Sequence, residues 1–431
     1  MNVLKRYTAT EFSAAFLAND RDLSWDVTLE SRVREILDGV KDDGDAAIRA
    51  YTRMFDGYQL DDGGILVDPE MISASTAKIQ GDLLDAMMLT IQNLRQFHGR
   101  EVPKSWWDVR DDGTFYGQLV APVDRVGVYV PGGRAAYPSS LLMGAVPAQV
   151  AGVEEIVVCS PAGADGRVSS SVLAAASLLG IDKVYRIGGA QAIGAMAYGT
   201  DTVPPVDMIC GPGNSYVTAA KRLVYGVVEI DSLAGPSELA VIADTSADPA
   251  VVAADLLAQA EHDPEARVFL FATDNSVIDS VEAEMERQVS SMQRREIALE
   301  SVAGQSGAVA GEETRLWELI NGIAPEHLSI NTRNATEQMG QVKNAGAVFV
   351  GAHSAVSFGD YTAGSNHILP TGGTARFASP LGVESFIKRS NILRLSEAGF
   401  LKLASSTEIF AEAEGFGGHA NAIKIRRDNR C

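Results

Sequence analysis

Short apolar runs alternate with helical segments along most of the chain after residue 121. Strands are predicted at 127–130, 155–159, 184–187 and 208–210, and each of the last three is followed by a predicted helix. A second set of strands is predicted at 239–243, 268–272, 328–330 and 347–350. Short buried strands separated by helices form a parallel sheet that helices cover on both faces. The sequence therefore predicts an α/β protein with two doubly wound halves.

The segments outside this alternation are predicted to be helical. Apolar residues have helical spacing in 27–40, 45–54 and 81–98. The predicted organisation is an N-terminal segment, a discontinuous first α/β domain, a second α/β domain and a small C-terminal helical tail. The predicted bounds are, in that order, 1–26, 27–121 with 239–380, 122–238, and 381–431.

Composition excludes several classes of protein. The formal net charge of −20 makes nucleic acid an unfavourable partner. The three cysteines, Cys159, Cys210 and Cys431, include no CxxC pair, which argues against a disulfide framework or a thiolate zinc site. No signal-like segment and no apolar run of membrane-spanning length is found, so a soluble cytoplasmic protein with no membrane partner is expected.

One predicted helix carries two polar side chains at its end. Asp248 is a good N-cap and Pro249 fits the first turn, whereas Pro264 favours a helix end near His262. The middle of this helix is apolar almost all round, which predicts burial. Gln259 and His262, three residues apart, point the same way. They are either ligands of a site, or His262 is only stabilised by the negative end of the helix dipole.

Further histidines lie near carboxylates in polar or glycine-rich stretches. These groups are Glu326-His327, Asp360 with His367, and Glu414 with His419. Taken alone, each histidine favours a surface position, but loops at strand ends are where open α/β sheets bind ligands. The candidate metal ligands are Gln259, His262, Asp360 and His419. Such nitrogen and oxygen ligands suit zinc, and also manganese or cobalt. Glu326 and His327 would then form an acid–base pair, because each can accept a proton near neutral pH.

Two glycine-rich turns lie between a predicted strand and a predicted helix, where the phosphates of a dinucleotide bind. The turn at 188–194 nearly matches GxGxxG, and 211–214 is Gly-Pro-Gly-Asn. Neither turn is followed by a clear ribose-binding acid about twenty residues on. The turns fit either a nucleotide site with an incomplete fingerprint or tight turns that bind nothing.

Together, these stretches resemble the histidinol dehydrogenase family nearly from end to end. The matching motifs are 44–45 with 55–57, 128–133, 186–192, 211–214, 234–238, 259–263, 325–327, 359–361, 366–371, and 413–415 with 419–420. The resemblance implies two Rossmann-like halves that lack the usual fingerprint, which accounts for the near-miss glycine turns.

The resemblance also implies an activity and a set of site residues. It implies zinc- and NAD-dependent oxidation of L-histidinol to L-histidine through the aldehyde, the last step of histidine biosynthesis. The implied assembly is a homodimer with shared active sites and one zinc ion per subunit. The implied zinc ligands are Gln259, His262, Asp360 and His419. The implied substrate contacts are these four with Ser237, His327, His367 and Glu414. The implied NAD contacts are Tyr129, Gln191 and Asn214. His327 resembles the base that takes the alcohol proton, and Glu326 resembles the base that activates water.

One stretch departs from the family pattern. Residues 353–358 stand where a Pro-Glu-rich lead into Gly-Asp-Tyr is expected. A paralogue that oxidises another small alcohol, such as a sulfonated propanediol, is therefore an alternative, although 135–140 and 414–419 are of the histidinol type. The residues also fit a metal-dependent lyase or hydrolase on the same scaffold, or a non-catalytic protein with structural zinc. Structural zinc sites usually have Cys and His ligands, which disfavours the non-catalytic protein.

Overall fold

The computed structural model of the chain describes residues 4–17, 26–60, 64–132 and 136–428. Parts of the predicted N-terminal segment, Gly133 and Ala135 of the motifs above, and Cys431 lie outside the described residues. Within the described ranges, the chain forms two compact units. The first unit contains residues up to Glu101 together with Asp124–Phe386, and the second contains Val102–Val123 with the residues from Ile387 onwards.

The strands and helices are numbered in chain order. The strands are β1 (Arg6–Tyr7), β2 (Trp106–Val109), β3 (Phe115–Pro122), β4 (Arg125–Tyr129), β5 (Glu155–Cys159), β6 (Val184–Tyr185), β7 (Met208–Cys210), β8 (Glu229–Ile230), β9 (Glu238–Ala243), β10 (Arg267–Ala272), β11 (Gly307–Ala310), β12 (His327–Asn331), β13 (Ala347–Val350) and β14 (Ile387–Arg394). The helices are α1 (Ala9–Phe12), α2 (Val27–Asp43), α3 (Asp45–Phe55), α4 (Pro69–Ser73), α5 (Gly81–His98), α6 (Pro138–Ala151), α7 (Ser170–Leu178), α8 (Gly189–Tyr198), α9 (Ser215–Val224), α10 (Pro249–Ala260), α11 (Asn275–Val289), α12 (Arg295–Ala303), α13 (Glu313–Ile323), α14 (Ala335–Gln338), α15 (Val356–Asp360), α16 (Glu397–Ala413) and α17 (Gly417–Asp428).

A five-stranded parallel sheet is formed within the first unit. Its strand order is β6-β5-β4-β7-β8. The chain starts at the central strand β4, moves to one side through β5 and β6, and then crosses to β7 on the other side. The carboxyl ends of β4 and β7 therefore flank the point where the strand order reverses, which is where such sheets bind ligands.

A six-stranded parallel sheet is also formed within the first unit, with the order β1-β11-β10-β9-β12-β13. Both faces are buried, because Leu239 and Val241 of β9 pack in one apolar cluster and Ala240 and Ile242 pack in another. The two free cysteines among the described residues, Cys159 and Cys210, are buried. The predicted α/β class with parallel sheets is confirmed.

The second unit contains an antiparallel sheet with the order β14-β3-β2, and the helices α16 and α17. The prediction of a helical tail is wrong for Ile387–Arg394, which form β14. Most side chains of this strand are polar and exposed, so no apolar alternation indicates a strand. In the described parts of the chain, no helix has the length and apolar character needed to cross a membrane.

Candidate active site

Helix α10 carries two of the candidate ligands at its end. The side chain of Asp248 caps the first turn and Pro249 follows it, as predicted. The helix ends at Ala260, two residues before the predicted end. Gln259 is buried in the last turn, whereas His262 is exposed just beyond it. The backbone N–H of His262 donates to the Gln259 carbonyl at 3.2 Å, which fixes the chain direction after the helix.

Strand β12 begins at the candidate acid–base pair. Glu326 directly precedes the strand, His327 is its first residue, and both are buried. Glu238 of the neighbouring strand β9 contacts both with its backbone. Its N–H donates to Glu326 Oε2 at 2.8 Å, and its carbonyl oxygen lies 3.0 Å from His327 Nδ1. Because a carbonyl only accepts, Nδ1 of His327 carries a proton, and Nε2 is the proton acceptor of the neutral ring.

These residues lie at the amino ends of their strands. Ser237 and Glu238 are at the start of β9, and Glu326 and His327 are at the start of β12. Helix α10 leads from the end of β9 to the start of β10, so its last turn lies at the same edge. Open α/β sheets usually bind ligands beyond the carboxyl ends of their strands. The six-stranded sheet therefore departs from that rule at its candidate site.

Asp360, the last residue of α15, lies at the same edge. Asp360 Oδ1 lies 3.8 Å from His327 Nε2. The backbone carbonyl of Asp360 accepts a hydrogen bond from His367 Nδ1 at 3.0 Å, so the loop folds back on itself. The side chain of Asn366 donates to the carbonyl of Met143 in α6 at 2.8 Å. The loop that follows Asp360 and carries His367 is thereby tied to the helix that follows β4.

The charged groups of this edge alter one another's protonation. Burial alone would lower the pKa of His327, but the carboxylates of Glu326 and Asp360 outweigh it and raise the pKa to about 10. Burial lowers the pKa of His367. Burial alone would raise the pKa of Asp360, whereas the imidazoles of His327, His367 and His262 hold it below its ordinary value. His262, just beyond α10, is thus within electrostatic range of Asp360.

The remaining two candidates belong to the second unit. Glu414 directly follows α16, and His419 lies in the first turn of α17. Both are exposed, and the imidazole of His419 lies 5.3 Å from the Phe416 ring, measured between ring centroids. Gly415, with a φ of +77°, allows the tight turn between the two helices.

The four predicted metal ligands are divided between the two units. The first unit contains His262 and Asp360 with the amide of Gln259, and the second contains His419. Among the residues that the structure describes, no three histidine, cysteine or acidic side chains are grouped so that they could hold a metal ion. Imidazole and carboxylate are ordinary zinc ligands, and the low pKa of Asp360 favours its ligating, ionised form. The chemistry of these donors therefore fits zinc. The first unit of one chain contains three of the four predicted ligands, Gln259, His262 and Asp360.

The predicted NAD contacts lie at the carboxyl edge of the five-stranded sheet. Tyr129, the last residue of β4, is buried, and its hydroxyl accepts a hydrogen bond from the Gly189 N–H at 3.1 Å. Gln191 is buried in the first turn of α8. Asn214 caps α9, where its Oδ1 accepts from the Val217 N–H at 3.2 Å. The amide N–H groups of Asn214 therefore stay available to a ligand.

The glycines of the two turns are explained by packing within the protein. A Cβ on Gly211 would lie 2.1 Å from the Tyr129 carbonyl oxygen, and one on Gly188 would lie 2.6 Å from Pro161 Cβ. Gly211 also has a φ of +118°, which side-chain-bearing residues rarely adopt. Tight turns account for these glycines, so by themselves they do not indicate a nucleotide.

A cavity of about 580 Å³ opens beyond the ends of β4 and β5. Pro131 and Gly132, just after β4, and Ser160 and Pro161, just after β5, form part of its wall. The candidate metal ligands, the acid–base pair and the three predicted NAD contacts do not line it. Its volume is in the range of small-molecule and cofactor sites, roughly 300–1,000 Å³. The first unit therefore has room for a ligand beside the strand that ends in Tyr129.

Some residues around these sites are not indicated by the sequence. Glu238 holds both members of the acid–base pair, yet it does so through its backbone, which no side-chain pattern reveals. Asp255 is buried one turn before Gln259 on α10 and is only 9% exposed. Asp255 lies four residues before Gln259, so both side chains point to the same side of the helix. This spacing is the one sequence feature that indicates Asp255 as a neighbour of the candidate site.

The segment that departs from the family pattern leads into α15. Val356 is buried in the core against the six-stranded sheet, whereas His353 and Phe358 are exposed. The hydroxyl of Ser354 donates to the Val350 carbonyl at 2.7 Å. In the segment that departs from the family pattern, Val356 therefore packs in the core, and the exposed ring of Phe358 lies two residues before Asp360 in the sequence.

Comparison with known proteins identifies the family. The family model for histidinol dehydrogenase matches residues 20–427. The histidinol dehydrogenase of Moorella thermoacetica is 48% identical over 400 residues, which cover 92% of this chain and 94% of that protein. The Bacillus subtilis histidinol dehydrogenase is 48% identical over 397 residues, covering 91% and 92%. A crystal structure of the Elizabethkingia anophelis histidinol dehydrogenase has a TM-score of 0.94 and 34% identity, and covers 100% of this chain and 99% of that one. The chain therefore belongs to the histidinol dehydrogenase family of oxidoreductases.

Proposed function

We propose that this protein oxidises L-histidinol to L-histidine through histidinaldehyde, the last step of histidine biosynthesis. Its membership of the family supports this activity. The observation that carries the proposal is the contact of His327 Nδ1 with the Glu238 carbonyl, which leaves Nε2 facing Asp360 as a proton acceptor. Conversion of an alcohol to a carboxylate removes four electrons, so two hydride acceptors are required.

His327 acts in the first oxidation. Its Nε2 accepts the hydroxyl proton as a hydride leaves the alcohol carbon, and this gives the aldehyde. The backbone of Glu238 holds the ring so that this nitrogen, rather than Nδ1, is the base. A positioned general base contributes about 10²- to 10⁴-fold to such a step.

Glu326 acts in the second oxidation. Its carboxylate accepts a proton from the water that adds to the aldehyde carbon, and the resulting hydrate loses the second hydride. The Glu238 N–H holds Oε2, while Oε1 has no hydrogen-bond partner within the described residues. Oε1 is therefore the oxygen available to water.

We propose that Gln259, His262, Asp360 and His419 bind one zinc ion per subunit. Bound zinc would hold the imidazole and amino nitrogens of the substrate, and would offset part of the negative charge of Glu326 and Asp360 that raises the pKa of His327. The proposed further substrate contacts are Ser237, His367 and Glu414. Ser237 directly precedes β9, beside the backbone that holds the acid–base pair.

We propose NAD as the hydride acceptor for both oxidations, with Tyr129, Gln191 and Asn214 as its contacts. The strand order of the five-stranded sheet, and the same order around β9 in the other parallel sheet, support a description as two Rossmann-like halves. The cavity beyond the ends of β4 and β5 offers room for a ligand at the same edge of the five-stranded sheet, but Tyr129, Gln191 and Asn214 do not line it. The predicted domain bounds and the cytoplasmic location stay predictions from the sequence.

We propose that the active assembly is a homodimer in which the second unit of one chain completes the site of the other. Glu414 and His419 are exposed, whereas residues that bind a substrate or a metal ion would be enclosed in a complete site. The second unit also exposes many large apolar side chains, which are Val102, Trp106, Trp107, Val109, Leu119, Leu393, Leu395, Leu401, Leu403, Ile409, Phe410, Phe416 and Ile425. Such a concentration of apolar surface is typical of an interface that another chain covers.

The activity is tested by following NADH absorbance after zinc-loaded protein is mixed with NAD and L-histidinol. We expect two NADH per histidinol and histidine as the product. His327→Asn should lose at least about 100-fold in rate, whereas His353→Asn, which changes an exposed histidine outside the site, should keep the wild-type rate. Absence of NADH would contradict the dehydrogenase proposal. A higher kcat/KM for a sulfonated propanediol than for histidinol would indicate the paralogue.

A further inference from the structure

A buried ion pair lies directly behind the second glycine turn. Lys221 of α9 pairs with Asp231, which follows β8, and both side chains are almost completely buried. Neither residue belongs to the proposed catalytic, metal or nucleotide-contacting set. The proposed mechanism therefore gives no role to this buried ion pair.

Both members of the pair bind the same residue, Gly211. The N–H of Gly211 donates to Asp231 Oδ2 at 2.8 Å, and its carbonyl accepts from Lys221 Nζ at 3.1 Å. Gly211 is the first residue after β7, where the chain leaves the sheet, so its N–H and carbonyl need partners other than a neighbouring strand. The ion pair supplies one partner for each, and thereby fixes the orientation of the Gly211 residue.

The fixed turn determines where the proposed NAD contacts lie. The Gly211 backbone packs so closely on Tyr129 that a Cβ would lie 2.1 Å from the Tyr129 carbonyl oxygen. Three residues later, Asn214 begins α9, and Lys221 lies on that same helix. A change in the orientation of Gly211 would therefore move Asn214 and the amino end of α9 relative to Tyr129.

Stability alone does not account for this arrangement. A buried ion pair is often no more stabilising than apolar residues of similar volume, because both charges lose their hydration. An apolar pair would fill the space but could not hold the N–H and carbonyl of Gly211. What the ion pair adds is a fixed backbone geometry, and preorganisation of a binding site raises affinity without any new ligand contact.

We propose that Lys221 and Asp231 are positioning residues for the dinucleotide. They hold Gly211 so that Asn214 and the amino end of α9 are in place before the nucleotide binds. This inference rests on the proposed use of NAD, and it assigns to the pair a role in nucleotide affinity rather than in hydride or proton transfer.

The test is the double variant Lys221→Met with Asp231→Leu, which keeps the volume and removes both charges. We expect KM for NAD to rise about tenfold, which corresponds to about 1.4 kcal/mol, while kcat at saturating NAD stays within about twofold. The matched control is Arg6→Met with Glu282→Leu. This control removes a second ion pair, which lies at the edge of the six-stranded sheet. Its carboxylate, Glu282, also accepts a hydrogen bond from a backbone N–H, that of Leu4. The control should lower the thermal unfolding midpoint without changing KM for NAD.

An unchanged KM for NAD in the double variant would overturn the proposal, as would an equal rise in the control. If the double variant does not fold, hydrogen exchange on the wild-type protein decides. The Gly211 N–H should be as protected without NAD as the amides of β7, and fast exchange that slows only with NAD would contradict a preformed turn. Failure of the wild-type protein to form NADH would count against the proposed function instead, so the two failures are distinguishable.

Discussion

Asp255 should destabilise the folded protein at neutral pH. Its side chain is buried in α10, and no hydrogen bond or ion pair to it is found in the described parts of the chain. Burial raises the pKa of this carboxyl from an ordinary value of 3.8 to about 6. Because the folded protein binds a proton more tightly than the unfolded chain does, folding is favoured at low pH. The free energy of unfolding should therefore fall as the pH rises from about 4 to about 6.

The size of the effect follows from the two pKa values. The difference between 3.8 and about 6, at about 1.4 kcal/mol per pH unit, corresponds to roughly 3 kcal/mol above pH 6. Asp255→Asn removes the charge and nearly keeps the volume, but it buries an amide instead. We therefore expect the variant to be about 1 to 3 kcal/mol more stable than wild type at pH 7, and nearly equal to it at pH 4.

Urea unfolding at a fixed protein concentration, repeated between pH 4 and pH 8, measures this difference. The matched control is Glu265→Gln, which changes an exposed carboxylate shortly after the same helix and should stay within about 0.5 kcal/mol of wild type at every pH. A variant Asp255→Asn that is less stable at pH 7 would refute the reasoning, because it would show that the carboxylate has a favourable partner. A gain that does not depend on pH would refute the assigned cause.

Three further predictions concern the proposed site. His262→Ala should retain far less zinc after dialysis than wild type by metal analysis, because a missing ligand is not replaced locally, and full zinc content would contradict the predicted ligand set. His327→Ala should fail mainly with histidinol, and Glu326→Gln mainly with supplied histidinaldehyde; equal losses in both half-reactions would contradict the division of roles. Co-refolding inactive His262→Ala and His419→Ala chains should restore activity to about one quarter of wild type if assortment is random and sites are shared. A mixed dimer that stays inactive would rule out shared sites.

Local sequence rules were sufficient for most strands of the parallel sheets. The strand at 155–159 and the helix that starts after Asp248 are found as predicted, because apolar runs and capping residues are local features. The strand β11 is not predicted, since Gly307–Ala310 consists of small residues with weak strand preference. It is a strand because it pairs with β10 and β1, which is a tertiary effect.

The sequence predicts which residues form the candidate site, but not how these residues are arranged in space. Family resemblance indicated Glu326 and His327, whereas their orientation depends on Glu238, which is 89 residues away from His327 in the sequence. The parallel register that pairs His327 with Leu239 creates this contact, and the side-chain pattern does not specify it. The position at the amino ends of strands was also not predicted, because the general rule favours the carboxyl ends.

Three buried carboxylates near the proposed sites, Glu326, Asp231 and Asp255, are of two kinds that should respond oppositely to neutralisation. Glu326 accepts the Glu238 N–H, and Asp231 accepts the Gly211 N–H, so each orients a peptide group at the end of a strand. Asp255 accepts no hydrogen bond within the described residues. Removing a carboxylate that holds a buried N–H leaves that donor without a partner and costs about 1–3 kcal/mol. Asp231→Ala and Glu326→Ala should therefore destabilise the protein, whereas Asp255→Asn should stabilise it. The sign of the change thus depends on whether the carboxylate holds a backbone group, and not on its burial alone.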